Sequence, residues 1–292
     1  MTNTASTITT VVPLDQLLAA VRELRISGRW TRAADLLDAA DASDARDRAR
    51  LAVAAAEVAL ERDWFGGTSL AGARLDAAER ACGEGKEARP EGGWGWELDF
   101  LRLRHDYLGL VRVDGRFRPG PDGKDPAALT ALRTSAEYLR DRAPDAVRRG
   151  WAEMYLGLVA DNLLAERDLA PAHYEAALRA GESGDDLLSR EALRHLGDHD
   201  HDSGDHPRAL ERWRRATELG ARAGTVPGTL SQQLLLAVLA RDTGDEAGAA
   251  ALAREVARWA GAVGAVTTEA QANAFLAGSD PTGPPSPGAA GR

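Results

Sequence analysis

The chain has 292 residues, a formal net charge of -9, 44% hydrophobic residues and only 5% aromatic residues. This length and hydrophobic fraction allow one large domain, two ordinary domains or an array of repeats. The acidic balance opposes general binding to phosphate backbones and to anionic lipid surfaces. We therefore expect neither a nucleic-acid partner nor a membrane partner.

Residues 1–12 are polar and rich in Thr, and we expect them to be disordered. They lack the basic segment and apolar core of a secretory signal. No run reaches the roughly 18 consecutive apolar residues that span a bilayer. These features predict a cytoplasmic protein. The single cysteine, Cys82, cannot form an internal disulfide and is interpreted as a small helix residue.

Apolar residues recur at helical spacing along the N-terminal part of the chain. Pro13 opens the first predicted helix and Gly28 ends it. Three more helices are predicted at Trp30 to about Ala40, about Ala45 to Arg62, and about Ser69 to Cys82. The second and fourth share a spacing of Ala, a large residue and Ala, at Ala33, Leu37 and Ala40 and at Ala71, Leu75 and Ala78.

Two segments without apolar periodicity interrupt the helices. Residues 83–93 combine charge, Gly and Pro, and they are the best candidate for an internal boundary. A long helix is predicted at 94–113, with Phe100 and Tyr107 on its apolar face. The loop that follows, 114–126, exceeds the usual helix connection of roughly 2 to 8 residues, and long loops are often functional or mobile. No segment of the chain shows a strand pattern.

Further helices are predicted across the C-terminal part of the chain. They lie at about 126–142, from 151 onward, at about 229–241, 246–261 and 266–277. The tripeptide at 226–228 is predicted to be a turn. The tail, 278–292, is rich in Pro and Gly, and we expect it to be disordered.

The stretch from about 190 to 222 contains the clearest repeat. Leu196 and Gly197 are followed along the chain by Ala209, Trp213 and Ala216. This spacing resembles the tetratricopeptide repeat, which places Leu-Gly, Ala, an aromatic residue and Ala at the same intervals. A looser match, longer by one position, occurs at Leu156, Gly157, Ala170, Tyr174 and Ala177.

The resemblance implies an all-α fold for residues 13–277. Antiparallel helical hairpins would stack as a right-handed solenoid, and the helix at 266–277 would cap it. Trp213 would occupy a packing position. The step from Ala209 to Ala249 is longer than the family repeat, and we expect the extra residues in the connection 221–228.

In tetratricopeptide proteins the first helix of each hairpin lines the concave surface. The resemblance therefore implies a polar groove where these helices converge. Its expected lining is Asp99, Arg102, His105, Tyr155, Asn162, Glu191, Arg194, Asp198, His201 and Asp202.

Histidine and aspartate are concentrated in the same stretch. His195, His199 and Asp202 share one stripe of a helix, and two imidazoles with a carboxylate are able to hold a divalent metal. A neutral His hydrogen-bonded to Asp could act as a general base, which makes His195, His199, His201 and Asp202 the candidate catalytic residues. Polar side chains on an exposed helix face need no such role, so the sequence does not otherwise indicate a cofactor.

Asp200 departs from the repeat pattern, which has a large residue four positions after the Leu. A carboxylate on a packing face is costly unless it is paired or solvated. Either the helix frays before residue 203, or Asp200 pairs with Arg212 or Arg214. We favour fraying.

Three functional hypotheses follow. The leading one is a binding module that holds a peptide or protein segment in its concave groove. The alternative is an enzyme on a helical-repeat frame, with the His and Asp cluster acting on a small molecule. A third is a sensor, which would need a partner for output. The common sequence signatures of enzymes are absent, which favours a binding module.

Overall fold

A computed structural model describes residues 11–84, 95–113 and 116–279. Over these ranges the protein is all-α, and each helix packs against the next one in the chain. The predicted disorder of residues 1–10 and 280–292, and most of the predicted boundary at 83–93, lie outside the described residues. The helices are α1 Leu14–Ile26, α2 Trp30–Asp38, α3 Ala45–Gly66, α4 Ala71–Glu84, α5 Gly95–Val111, α6 Pro126–Asp141, α7 Ala146–Asn162, α8 Ala170–Gly181, α9 Asp186–Asp202, α10 His206–Arg222, α11 Val226–Asp242, α12 Glu246–Val263 and α13 Val266–Leu276.

The turns of the C-terminal part of the chain repeat at a fixed interval. Gly204 adopts a positive φ of 83°, and the N–H of Asp205 then reaches back to the carbonyl of Asp200. This backbone pattern closes a helix, and glycine adopts it without a Cβ clash. The same bond recurs at regular intervals, from Thr225 to Gly220, from Asp245 to Ala240 and from Ala265 to Ala260. Each helix and its turn therefore form a unit of constant length in this part of the chain.

Aspartate begins many of these helices. The side chain of Asp185 accepts a hydrogen bond from the Leu188 N–H at 3.0 Å, which satisfies one of the free donors in the first turn of α9. The same cap occurs on α3, α6, α7, α10 and α12, at Asp44, Asp125, Asp145, Asp205 and Asp245.

The two Leu-Gly pairs predicted from the sequence mark equivalent contacts between helices. A Cβ at Gly197 would overlap the ring of Trp213, and a Cβ at Gly157 would overlap the ring of Tyr174. Both aromatic rings are fully buried. Glycine therefore lets α9 approach α10, and α7 approach α8, closely enough for the aromatic side chain to seal each hairpin.

The two ends of the helix stack meet. One apolar core joins residues of α1, α2 and α3 to residues of α11, α12 and α13. The hydroxyl of Thr267, on α13, donates to the carbonyl of Trp64 at 3.3 Å. The sequence predicts that α13 caps an array; instead α13 contacts both α12 and α3. Packing the two terminal faces on each other removes both from water, which provides the physical reason.

Two local predictions differ from the structure. Arg112–Val113 pairs antiparallel with Arg116–Phe117, so a short two-stranded hairpin, β1 and β2, lies where no strand was predicted. Residues 226–228 form the first turn of α11 and not a separate turn, because Pro227 is tolerated at a helix start. The extra residues expected in the connection 221–228 instead lengthen the helices on either side of it.

Candidate functional site

A large cavity lies between the helices, with a volume of about 2010 Å³. Its wall is supplied mainly by the odd-numbered helices α1, α3, α5, α7, α9, α11 and α13, together with the β1–β2 hairpin. Because the two ends of the helix stack pack on each other, the odd-numbered helix of each hairpin faces the centre and the even-numbered helix faces outward. The cavity is therefore bounded by helices from both ends of the chain.

A continuous row of aromatic rings crosses the cavity wall from α5 to α3. Trp96 stacks on Phe100 at 4.9 Å between ring centroids, and Phe100 meets the edge of Tyr155 at 5.3 Å. Tyr155 contacts Tyr107 at 5.6 Å, and Tyr107 contacts Trp64 at 6.2 Å. Stacked rings of this kind hold one another in place. Tyr107 is 1% exposed and supports the row from within, whereas the other four rings are partly exposed and offer rigid apolar surface.

Helix α9 contributes three neighbouring ionisable side chains to the wall, Arg194, His195 and Asp198. Arg194 donates through Nη1 to Nε2 of His195 at 2.9 Å, so that nitrogen accepts and the proton of the neutral ring lies on Nδ1. His195 Nδ1 is 3.5 Å from Asp198 Oδ2. Burial, followed by the charge of Arg194, holds the pKa of His195 well below its usual 6.5. The ring is therefore neutral at pH 7.

Asp198 is the most perturbed carboxyl group of the cavity. Burial raises its pKa to about 6, although Arg194 opposes the rise. Its Oδ1 atom is buried and has no hydrogen-bond partner among the described residues. A buried acceptor without a donor is costly, so this oxygen would gain from a donor on a bound molecule.

A second group of charges connects α7 to α9. His199 Nε2 lies 3.1 Å from Asp161 Oδ2, and Arg167 pairs with Asp161 at 3.3 Å and with Asp202 at 2.5 Å. The hydroxyl of Tyr174 donates to Asp161 at 3.2 Å. Asp161 is thus shared by three donors, which fixes the position of this part of the wall.

Most residues that the sequence assigned to a groove line this cavity. Asp99 and Arg102 do not: Arg102 turns toward α4, where it pairs with Asp76 at 3.0 Å and Glu79 at 2.6 Å. The groove residues found on the cavity wall are His105, Tyr155, Asn162, Glu191, Arg194, Asp198, His201 and Asp202.

The sequence interpretation missed much of the wall. Arg104, Arg112 and Trp64 line the cavity but follow no repeat landmark. Phe100 and Tyr107 were placed on the apolar face of α5 without a functional role. Their aromatic rings were the one sequence signal for a place on the cavity wall. That signal is ambiguous, because aromatic rings occur both in cores and on binding surfaces.

Asp200 is paired, and the preference for fraying was wrong. Helix α9 continues to Asp202, and Asp200 Oδ2 accepts from Arg212 Nη1 at 2.7 Å. Arg212 also donates to the carbonyl of Leu196 at 3.0 Å. The alternative interpretation of the sequence, in which Asp200 pairs with Arg212, is therefore confirmed.

The residues of the hypothesised metal site have other partners. His195 stacks on Tyr174 at 5.0 Å, His199 faces Asp161, and Asp202 pairs with Arg167. Among residues 11–84, 95–113 and 116–279, no three His, Cys, Asp or Glu side chains are arranged to hold a metal ion. His201, the remaining candidate catalytic residue, lies 2.7 Å from Asp242 through its Nε2 atom, and its ring stacks on Trp213 at 5.5 Å between centroids.

The loop predicted at 114–126 reaches the cavity. Its residues Arg116, Phe117, Pro119 and Gly120 form part of the wall, and the Gly120 N–H donates to the carbonyl of Asn162 at 2.8 Å. Lys124 donates from Nζ to the carbonyl of Arg118 at 2.8 Å. The described part of this loop is therefore attached to α7 and to itself.

Comparison with known proteins gives no family for this chain, because no family model matches it and no curated protein is significantly similar. In the part of the chain that the structure describes, no helix has the length and apolarity to cross a bilayer. The structure therefore supports an all-α helical-repeat protein with a central cavity.

Proposed function

We propose that this protein is a binding module of the tetratricopeptide type that holds a peptide or protein segment in its central cavity. The cavity volume carries this proposal. Pockets for small molecules measure roughly 300 to 1,000 Å³, whereas this one measures about 2010 Å³. An extended segment of several residues matches such a space better than a single small molecule does.

The lining supports the same function. The aromatic row from Trp96 to Trp64 offers rigid apolar surface at little entropic cost, and such residues are enriched where proteins bind one another. Arginines and carboxylates share the wall with these rings. The equivalent glycine contacts at Gly157 and Gly197 support the tetratricopeptide resemblance, and the cytoplasmic location stays a prediction.

Blocking the cavity tests the proposal. Gly109 lines the cavity, and a Cβ placed there would meet no atom within 4 Å. Gly109→Trp should therefore place a large ring in part of the cavity without disturbing the fold. Gly83, an exposed residue of α4 outside the cavity lining, is equally open and provides the matched control Gly83→Trp.

We expect the full chain to enrich binding peptides from a randomised library. Gly109→Trp should weaken the affinity for these peptides at least tenfold, and Gly83→Trp should leave it unchanged, with the helical circular dichroism of both variants intact. Equal binding by both variants would contradict the cavity assignment, and a chain that enriches no peptide would contradict the proposed function.

A second candidate function is acid-base catalysis on a small molecule, because Asp198 has a pKa of about 6 beside the neutral His195. A carboxyl group with such a pKa exchanges protons near neutral pH. Incubation with a mixture of small metabolites would show a compound consumed by the natural chain and spared by Asp198→Asn. A mixture that both chains leave unchanged would count against catalysis.

A further inference from the structure

The charges on the cavity wall are distributed differently from those of the whole chain. Nine arginines and nine acidic side chains line the cavity, so its wall is neutral, whereas the chain carries a formal charge of -9. The excess of acidic residues therefore lies away from the cavity. A bound segment interacts with those wall charges that no other group of the protein already neutralises.

The acidic side chains of the wall are already engaged. Seven of them form ion pairs, and the other two accept hydrogen bonds from backbone N–H groups. The pairs are Glu57 and Glu61 with Arg25, Glu97 with Arg148, Asp161 and Asp202 with Arg167, Glu191 with Arg190, and Asp198 with Arg194. The two that accept from backbone N–H groups are Asp63 and Asp185.

Four arginines of the wall form no ion pair with any described carboxylate, namely Arg22, Arg104, Arg112 and Arg116. Arg104 and Arg112 are the two that lie partly buried. The Arg104 guanidinium is 5.9 Å from the centre of the Phe100 ring. It also interacts with Tyr155, where its charge and a hydrogen bond oppose the rise in pKa that burial causes.

Arg112, the first residue of β1, is in a similar position. It donates to the carbonyl of Asp63 at 3.2 Å, and its guanidinium is 5.1 Å from the Trp64 ring. Burial lowers the pKa of Arg112, since this group loses water without gaining a carboxylate. An arginine held on an aromatic ring keeps its hydrogen-bond donors available to a planar anion.

We propose that the segment bound in the cavity is acidic and that its Asp or Glu side chains pair with Arg104 and Arg112. This inference rests on the proposed function. The two arginines are eight positions apart in the sequence, Arg104 within α5 and Arg112 directly after its last residue.

Charge reversal tests the inference. Peptides that the natural chain enriches from a randomised library should be rich in Asp and Glu. The variant Arg104→Glu/Arg112→Glu should instead enrich basic peptides, because a purely structural role of these arginines would not invert the preference. Arg254 is an exposed residue of α12, outside the cavity and without an ion pair to any described carboxylate, and Arg254→Glu should keep the acidic preference.

A milder pair of substitutions covers the case in which charge reversal unfolds the protein. Arg104→Gln/Arg112→Gln should lower the affinity for the acidic peptides at least tenfold, while Arg104→Lys/Arg112→Lys should restore part of it. Enriched peptides with no acidic bias, an unchanged preference in the Glu variant, or stronger binding of short RNA and DNA oligonucleotides would overturn the inference. Failure to enrich any peptide would instead overturn the proposed function.

Discussion

At the scale of single residues, the pair His195 and Asp198 shows how one helix face produces two opposite perturbations. Burial favours the uncharged form of each group, so it lowers the pKa of His195 and raises that of Asp198 to about 6. The charged groups that face Asp198 are Arg194, His199 and Asp202 on α9 and Asp161 on α7. Their opposing signs leave burial as the dominant cause.

The sign of the Asp198 effect on stability follows from this pKa. The folded state holds the Asp198 proton more tightly than the unfolded state does, so this group lowers stability progressively as pH rises from its unfolded pKa of 3.8, and fully above its folded pKa of about 6. Asn cannot ionise. Asp198→Asn should therefore raise the free energy of unfolding at about pH 7.5 by up to roughly 3 kcal/mol, the size of the full shift.

At about pH 3 Asp198 is protonated in both the folded and the unfolded protein, so the same substitution should change the free energy of unfolding by less than about 0.5 kcal/mol. Urea unfolding of both proteins at the two pH values measures the difference. A change of equal size at both pH values would show that Asp198 is not strongly perturbed.

At the scale of helices, the close approach of α9 to α10 and of α7 to α8 depends on glycine. A Cβ at Gly197 would overlap the fully buried ring of Trp213, whereas a Cβ at Gly109 would meet open space. Gly197→Ala should lower the free energy of unfolding by about 1 to 3 kcal/mol through overpacking. Gly109→Ala should raise it by about 0.5 to 1 kcal/mol, because Ala favours the helix.

Chemical unfolding of these two variants gives a matched comparison, since each adds one methyl group to a helical glycine. Equal changes in the free energy of unfolding would show that the helix pair does not require the close approach at Gly197.

The sequence predicted the helices well because their boundaries have local causes. Apolar periodicity, an aspartate cap and a glycine such as Gly204 each act within a few residues. The predictions failed where the cause is distant. The partner of Asp200 lies on the next helix, and the contact of α13 with α3 joins segments near opposite ends of the chain, which no local pattern records.

The site shows the same division. The tetratricopeptide resemblance implied that residues of α9 line a concave groove, because the first helix of each hairpin does so in that family. The structure places Arg194 and Asp198 of α9 on the cavity wall. Arg104 and Arg112 were missed, because their importance depends on carboxylates elsewhere that are already paired. A balance of charges over the wall becomes visible only when all its helices are in place.

At the scale of the whole molecule, the cavity exists because the ends of the chain share one core. Phe275 of α13 is 1% exposed and belongs to the same core as Trp30 and Val58. Its ring also lies 3.3 Å from the Arg241 guanidinium carbon. If the stack were open, the concave face would be an exposed groove that encloses no central space.

The closure is tested most directly by hydrogen exchange in Phe275→Ala, with Leu276→Ala as the control because Leu276 is 37% exposed. Phe275→Ala should lower the free energy of unfolding by about 3 to 5 kcal/mol. It should also speed the exchange of backbone amides in α3, which is distant in sequence, and Leu276→Ala should do neither. Faster exchange confined to α11, α12 and α13, with α3 unchanged, would contradict the closed arrangement and the central cavity that depends on it.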